Sequence, residues 1–176
     1  MKKTVTCPLC HQHYEIYANP APTVDVIIHD PQRGVVIIER GHEPLGYALP
    51  GGFIDDGEQA EAAARREMKE ETSLDVELTG LLGVYSAPWR DPRRHTMSTV
   101  FVGRTAHPER LCAGDDAARA AWYPLDALPA PLRFDHGIIL AHFREVLAGR
   151  RTLAPIQPDA PHAPDGPART DGGKTA

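Results

Sequence analysis

The sequence predicts one α/β domain in which a mixed β-sheet is layered with helices. Two observations lead to this prediction: short runs rich in β-branched residues, and two longer segments with apolar residues at helical spacing that interleave with them. At 176 residues with a 41% apolar share, the chain is long enough for one domain with a substantial core and too short for two.

The first predicted strands form a hairpin. Residues 24–28 and 34–39 are strand-like and are joined by a polar turn over residues 29–33. Residues 35–38 are apolar throughout, as expected of a strand that is buried on both faces. A short strand over residues 47–49 follows and leads into the double glycine Gly51-Gly52.

The first predicted helix covers residues 58–71. This segment contains neither glycine nor proline, and apolar residues recur in it at helical spacing at Ala60, Ala63, Ala64 and Met68. Asp55, Asp56 and Gly57 precede it, which suits a chain that turns into a helix with acidic residues near its positive end.

Strand-like runs return after this helix, at residues 75–85 (one or two strands), at 97–104 and at Trp122-Tyr123. A second helix begins at Asp135, a plausible N-cap, and stops near Gly149. Its apolar stripe consists of Ile139, Leu140, Phe143, Val146 and Leu147.

We expect three parts along the chain. Residues 1–22 form an N-terminal arm that is extended over its second half, where Pro20 and Pro22 disfavour helix. Residues 23–150 form the folded domain. Residues 151–176 are rich in Pro, Ala and Gly, and we expect this tail to be disordered.

The arm carries one Cys-x-x-Cys pair, Cys7 and Cys10, and the third cysteine is Cys112. An odd number of cysteines fits a reducing compartment better than a disulfide framework. The pair resembles one knuckle of a zinc ribbon, but the chain lacks a second pair, and His11 and His13 lie too close in sequence to complete a tetrahedral site. We therefore do not expect bound zinc.

Charge and hydropathy exclude several functions. A net charge of −5 argues against a nucleic-acid binder that is held by its overall field. No apolar run approaches the length of a membrane span, and none follows Met1 as a signal peptide would. We expect a cytoplasmic protein whose partners include neither nucleic acid nor membrane.

Three glutamates near the end of the first helix indicate chemistry. Glu67, Glu70 and Glu71 stand at positions i, i+3 and i+4, which places their carboxylates on one helix face. Like charges at this spacing repel one another, and a hard divalent cation such as Mg²⁺ or Mn²⁺ would relieve the repulsion. The alternative is a solvated face on which Arg65, Arg66 and Lys69 pair with the glutamates.

The stretch from Gly52 to Leu74 resembles the Nudix box, G-x5-E-x7-R-E-U-x-E-E-x-G-U, in which U is a bulky aliphatic residue. Met68 serves as the first U, and Ser73 departs from the last glycine, which is expected to end the helix with positive φ. The positions that match are Gly52, Glu58, Arg66, Glu67, Glu70, Glu71 and Leu74.

This resemblance implies an α/β/α sandwich and an enzyme that hydrolyses the pyrophosphate bond of a nucleoside diphosphate derivative. It implies that Mg²⁺ or Mn²⁺ is held by the backbone carbonyl of Gly52 and by the box carboxylates Glu67, Glu70 and Glu71. It also implies that Arg66 pairs with Glu58. Arg66 precedes Glu70 by four residues, so it can orient that carboxylate as well.

The general base stays open. Many Nudix enzymes place a glutamate three residues before a tryptophan, but here Arg119 stands three residues before Trp122. Asp115 and Asp116 lie close by, and either one, or a helix glutamate, could activate water. The alternative for the two aspartates is an ordinary turn.

The substrate class comes from residues outside the box. Pro88, fifteen residues after Ser73, resembles the downstream proline of ADP-ribose pyrophosphatases, and Phe134-Asp135-His136 also resembles that group. Arg90 and Arg93, with Arg94 beside them, suit a diphosphate, and Trp89 or Tyr17 could stack on adenine.

We therefore expect hydrolysis of ADP-ribose to AMP and ribose 5-phosphate. The alternatives are NADH or another dinucleotide or nucleotide sugar as substrate, and a non-catalytic Nudix-fold sensor of nucleotides. The resemblance also implies a homodimer, because two subunits often shape the adenine pocket together.

Overall fold

A computed structural model describes residues 1–114 and 117–158 of the chain. The N-terminal elements are β1 (Lys2–Thr6), β2 (His13–Tyr17), β3 (Ala21–Asp30), β4 (Gly34–Arg40), β5 (Tyr47–Ala48) and β6 (Gly51–Phe53). They are followed by α1 (Ala60–Thr72), β7 (Glu77–Tyr85), β8 (Thr96–Arg104), a short 3-10 helix (Pro108–Arg110), β9 (Ala117–Tyr123) and α2 (His136–Leu147).

The main sheet is mixed, as predicted. Its strand order is β5-β4-β3-β8-β7, with β6 paired to β3 and β9 paired to β4. β3 and β8 are parallel, and the other pairs are antiparallel. β3 pairs with β4 through its last two residues and with β6 through residues 23–25, so β4 and β6 pair with different stretches of β3.

Helices cover both faces of this sheet. Val24, Val26 and Ile28 of β3 face α1, where they pack with Ala63 and Met68. Ile27, on the opposite face of the same strand, packs with the apolar stripe of α2, which consists of Ile139, Leu140 and Phe143. This arrangement is an α/β/α sandwich, which confirms the predicted fold class.

The end of α1 explains how the chain tolerates a serine in place of the expected glycine. Ser73 is the C-cap residue of the helix, and its backbone is left-handed, with φ of 60°. Its N–H donates to the carbonyl of Lys69 at 3.1 Å, which satisfies one of the last helix carbonyls. A non-glycine residue in this conformation costs ~1 kcal/mol, and the helix carboxylates keep their positions.

Two strands differ in extent from the prediction. β7 is one strand from Glu77 to Tyr85, with irregular pairing at Gly80 and Gly83. β9 begins at Ala117 instead of Trp122, because its small residues pair with β4 although they lack a β-branched pattern.

The N-terminal arm is a hairpin of β1 and β2 with the Cys-x-x-Cys pair in its turn. Nearly all of its side chains are exposed, including Tyr14, Ile16 and Tyr17. Among the described residues, no helix is long and apolar enough to cross a membrane.

Residues 151–158 correct the predicted start of the disordered tail. Leu81 and Ala154 exchange two backbone hydrogen bonds, of 2.8 and 2.9 Å, at the free edge of β7. Leu153 lies against Gly80, and Ile156 packs on the α1 side of the core. The edge strand offers unpaired backbone groups to this segment, which composition alone did not reveal. Residues 159–176 lie outside the described part of the chain.

Candidate active site

A cavity of about 350 Å³ lies where the turn into β6, with Gly51 and Gly52 at the start of that strand, meets α1. One wall is formed by the turn and by the helix carboxylates Glu67 and Glu71. A second wall comes from the end of β4, from residues 90–96 and from residues 134–136. The site is thus assembled from segments that are far apart in the sequence.

Bare backbone in the turn allows the carboxylates to come close. A Cβ on Gly52 would lie 2.4 Å from the carboxylate of Glu67, and one on Gly51 would lie 2.1 Å from the carbonyl of Val24. The Gly51 N–H donates to Glu71 Oε2 at 2.8 Å. Contact with backbone therefore requires glycine at Gly51, whereas a side chain on Gly52 would displace the carboxylate of Glu67.

Arg66 organises the acidic residues around it. Its Nε and Nη2 donate to the two oxygens of Glu58, both at 2.9 Å. Its Nη1 donates to Glu67 at 2.8 Å and to Glu70 at 3.0 Å, and Nη2 also reaches the carbonyl of Phe53. These bonds raise the pKa of Arg66, and the bidentate pair lowers the pKa of Glu58. The geometry supports an orienting role for both residues.

The two carboxylates in the cavity are destabilised as anions. Burial raises the pKa of Glu71 to about 8, against the Gly51 N–H that lowers it, and repulsion from Glu67 and Asp25 adds to the increase. Burial likewise raises the pKa of Glu67, although the hydrogen bond from Arg66 opposes the shift. A cation bound between these carboxylates would remove this cost.

The donor set fits a partly hydrated divalent ion. In residues 1–114 and 117–158, no group of three or more His, Cys, Asp or Glu side chains is placed to hold a metal ion. Glu67 and Glu71 line the cavity, whereas the side chain of Glu70 is 57% exposed and bonds to Arg66. Mg²⁺ usually keeps several waters and takes one or two carboxylates, so two glutamates beside bare backbone suffice.

Comparison with known proteins assigns the family. The NUDIX domain family model matches residues 19–143 of the chain. The chain belongs to the Nudix family. It is a Nudix hydrolase, a pyrophosphatase that acts on nucleotide anhydrides, and a divalent metal ion is typical of this family.

Individual Nudix proteins are similar to most of the chain. An ADP-ribose pyrophosphatase of Methanocaldococcus jannaschii is 45% identical over 132 residues, which cover 74% of this chain and 76% of the relative. The NUDIX domain of Shewanella oneidensis NrtR, solved with ADP ribose, has 25% identity and a TM-score of 0.62 over 74% of this chain and 90% of that chain. A NUDIX hydrolase from Nitrosomonas europaea shares the fold, at 24% identity and a TM-score of 0.68 over 84% and 82% of the two chains.

A buried polar network lies beneath the Nudix glycine turn. Arg90 is 4% exposed, and it donates to Asp135 at 3.1 Å, to Thr96 at 3.0 Å and to Asp25 at 3.1 Å. Arg90 lines the cavity, but its guanidinium is buried and already paired within the protein, so its expected role in binding substrate stays a prediction. Its position between two buried aspartates indicates a structural role.

His136 connects this network to the turn. Its Nδ1 accepts a hydrogen bond from the N–H of Leu49 at 2.8 Å, so the ring proton lies on Nε2, which faces Asp25 Oδ1 at 3.4 Å. Burial acts to raise the pKa of Asp25, but His136, Arg90 and Ser98 together lower it to about 2. The Nudix turn is thus held by the ring of His136, which accepts from Leu49, and by the ionised carboxylate of Asp25 beside it.

The sequence analysis assigned Asp25 and His136 no role. An aspartate inside the apolar run of residues 24–28 was a visible signal for Asp25. For His136, the position after Phe134-Asp135 was noted, but no pattern in the sequence connects that residue to Leu49, 87 positions away.

The other predicted substrate residues divide into two groups. Arg93 lines the cavity and forms a bidentate pair with Asp91, at 3.0 and 2.9 Å. Trp89 is 67% exposed, Pro88 is exposed beside it, and neither belongs to the cavity wall. Tyr17, on the hairpin, is also exposed.

The predicted general base remains a prediction. Asp115 and Asp116 lie outside the described residues. Arg119, which replaces the family's glutamate before the tryptophan, lies on β9 opposite Glu39 of β4.

Proposed function

We propose that this Nudix hydrolase splits ADP-ribose into AMP and ribose 5-phosphate and that the reaction depends on Mg²⁺. One observation carries the chemistry: two desolvated carboxylates, Glu67 and Glu71, lie against bare glycine backbone in a cavity that also contains arginines. The substrate follows from the similarity, over three quarters of both chains, to a protein that is an ADP-ribose pyrophosphatase.

Glu67 and Glu71 would hold the Mg²⁺ ion, with the carbonyl of Gly52 as a further ligand. Mn²⁺ suits the same oxygen ligands. When bound, such an ion neutralises charge on phosphate oxygens and makes water a better nucleophile. Glu70 contributes through Arg66, to which it is hydrogen-bonded.

The protein's own groups hold this arrangement in place. Arg66 fixes Glu67 while Glu58 fixes Arg66 by a bidentate pair, so the carboxylate is oriented before substrate binds. The Gly51 N–H fixes Glu71 in the same way. The base that removes the proton from water is Asp115, Asp116 or a glutamate of α1, and replacing each in turn would distinguish them.

We further propose a cytoplasmic homodimer. The cysteines are free in the structure, which suits a reducing compartment. The exposed apolar side chains Tyr14, Ile16 and Tyr17 lie on one two-stranded hairpin, and such a hairpin is marginally stable by itself. Light scattering on the purified protein tests the dimer, and a monomeric mass at micromolar concentration would refute it.

The deciding experiment is a hydrolysis panel of ADP-ribose, NADH and nucleotide sugars, with and without Mg²⁺. Glu71→Gln should lower turnover of ADP-ribose by at least ~100-fold, because a charged ligand becomes neutral. Glu77→Gln is the control, because Glu77 is exposed on β7, where it pairs with Arg104.

Each alternative predicts a different result in this panel. Faster hydrolysis of NADH than of ADP-ribose would overturn the proposed substrate. Tight binding of ADP-ribose with no hydrolysis of any compound would favour the nucleotide sensor.

A further inference from the structure

Two arginines share one aromatic ring on the second wall of the cavity. The guanidinium carbon of Arg40 lies 5.1 Å from the centroid of the Phe134 ring, and that of Arg93 lies 5.6 Å from it. All three residues line the cavity. Arg40, at the end of β4, was not among the residues that the sequence analysis selected.

Both guanidinium groups retain unused donors. Arg40 donates from Nε to the carbonyl of Pro44 at 2.9 Å and from Nη2 to that of Glu43 at 3.5 Å. Arg93 donates from Nε and Nη2 to Asp91. Within the described residues, Nη1 of neither arginine has a hydrogen-bond partner. Each can therefore donate to a ligand without breaking its present bonds.

The charges on this wall are incompletely balanced. Burial lowers the pKa of Arg40, and the like charge of Arg93 lowers it further, while Glu71, Asp91 and Asp25 act in the opposite direction. The bonds that Arg40 forms go to neutral carbonyls. An anion placed between the two guanidinium groups would relieve their repulsion, as a cation would relieve that of the glutamates on the other wall.

Phe134 is held in a conformation that a bulky residue rarely adopts. Its φ is 57°, in the left-handed region, and its ring packs on the ring of His136 at 5.1 Å between centroids. Strained backbone of this kind persists where the surroundings impose it, often at ligand sites. Here the surroundings place the ring where both arginines can stack on it.

We propose that Arg40 and Arg93, positioned by the ring of Phe134, bind the second phosphate of the substrate's diphosphate. Glu67 and Glu71 mark the wall that receives the phosphate to be attacked, so a ligand with two linked phosphates contacts both walls and a monophosphate contacts one. The paired arginines select for diphosphates over monophosphates. This inference rests on the proposed function and extends it to the choice of ligand.

The test compares binding of α,β-methylene-ADP, a diphosphate that resists hydrolysis, with binding of AMP, in Mg²⁺, by isothermal titration calorimetry. Arg40→Gln and Arg93→Gln should each weaken binding of α,β-methylene-ADP by roughly 10- to 100-fold, as expected for a charged hydrogen bond. Binding of AMP should change by less than about threefold, because one wall suffices for it.

Three further variants separate this role from a structural one. Arg104→Gln is the matched control, because Arg104 is an exposed arginine that pairs with Glu77 on β7 and is not part of the cavity wall. Phe134→Leu keeps an apolar side chain but removes the ring face on which the arginines stack. It should weaken binding of α,β-methylene-ADP by about 3- to 30-fold. Arg40→Lys keeps the charge and should recover part of the loss. Circular dichroism melting verifies that each variant is folded.

The outcomes separate this inference from the proposed substrate. The diphosphate site would be overturned if Arg40→Gln and Arg93→Gln weakened the binding of AMP and of α,β-methylene-ADP equally, or weakened the binding of neither. Unchanged KM for ADP-ribose in both variants of an active enzyme would do so as well. A different result would refute the proposed substrate and keep the diphosphate site: the wild type does not hydrolyse ADP-ribose, but both variants bind α,β-methylene-ADP more weakly while their binding of AMP is unchanged.

Discussion

Glu71→Gln should remove a pH-dependent loss of stability from the metal-free protein. The carboxyl of Glu71 has an ordinary pKa of 4.5, and its burial raises the pKa to about 8 in the folded state. Glutamine has nearly the same shape and keeps a carbonyl oxygen that can accept the Gly51 N–H, but it does not ionise. The substitution therefore removes the charge and leaves the contact in place.

The sign follows from proton linkage. Because the folded pKa lies above the unfolded one, the protonated form of Glu71 favours the folded state below about pH 4.5, and this contribution is lost as the pH rises toward 8. Each pH unit within this range costs ~1.4 kcal/mol. Between about pH 5.5 and about pH 8, the wild type should lose up to ~3 kcal/mol relative to Glu71→Gln.

Urea unfolding in EDTA at these two pH values measures the difference. Glu77→Gln is the control, because the hydrogen bond from Arg104 lowers the pKa of Glu77 and keeps it ionised at both values. A gap between wild type and Glu71→Gln that does not change with pH would refute the reasoning. Addition of Mg²⁺ should stabilise the wild type more at the higher pH, where binding displaces less proton.

Three further predictions follow from the described contacts. Arg90→Gln should lower the free energy of unfolding by ~3–5 kcal/mol, because it leaves two aspartates buried without their cation. Calorimetry measures this loss. An unchanged melting temperature with a raised KM would instead support Arg90 as a substrate ligand. Trp89→Ala should change KM for ADP-ribose by less than about twofold, since the side chain is exposed outside the cavity wall. A larger rise of KM in steady-state assays would place Trp89 in the binding site. A chain that ends at Arg150 should be ~1–3 kcal/mol less stable than one that ends at Pro158. The shorter chain lacks the pairing of Ala154 with Leu81 and the packing of Leu153 and Ile156. Equal urea midpoints of the two chains would contradict this prediction.

The sequence analysis predicted the part of the site that lies within one helix and one turn. Arg66 and Glu70 lie four residues apart in α1, and the structure connects them by a hydrogen bond as that spacing implies. Glu58 precedes the helix, and its pairing with Arg66 was implied by the Nudix resemblance. Helix geometry is local, so sequence separation fixes the distances between these side chains. The family is confirmed by comparison, and the fold class by the mixed sheet between two helices.

Loop residues were predicted less well. Arg90, Arg93 and Trp89 are close neighbours in the sequence, yet their surroundings differ. Arg90 is buried in a charge network at the cavity wall, Arg93 lines the cavity as half of an ion pair, and Trp89 is exposed outside the wall. Irregular backbone gives no periodicity from which burial can be inferred, so composition alone suggested a role in substrate binding for all three.

Sequence alone determined the acidic helix face and the glycine turn, because each depends on residues close together in the chain, and the resemblance of this stretch to the Nudix box indicated the reaction class. Tertiary structure decided what surrounds them: His136 bonds to Leu49 from 87 positions away, and Arg40 and Arg93 meet on Phe134. These contacts depend on how β3, β4 and α2 pack together. No spacing in the sequence encodes such distances, because they arise when the sheet and the helices bury their apolar faces.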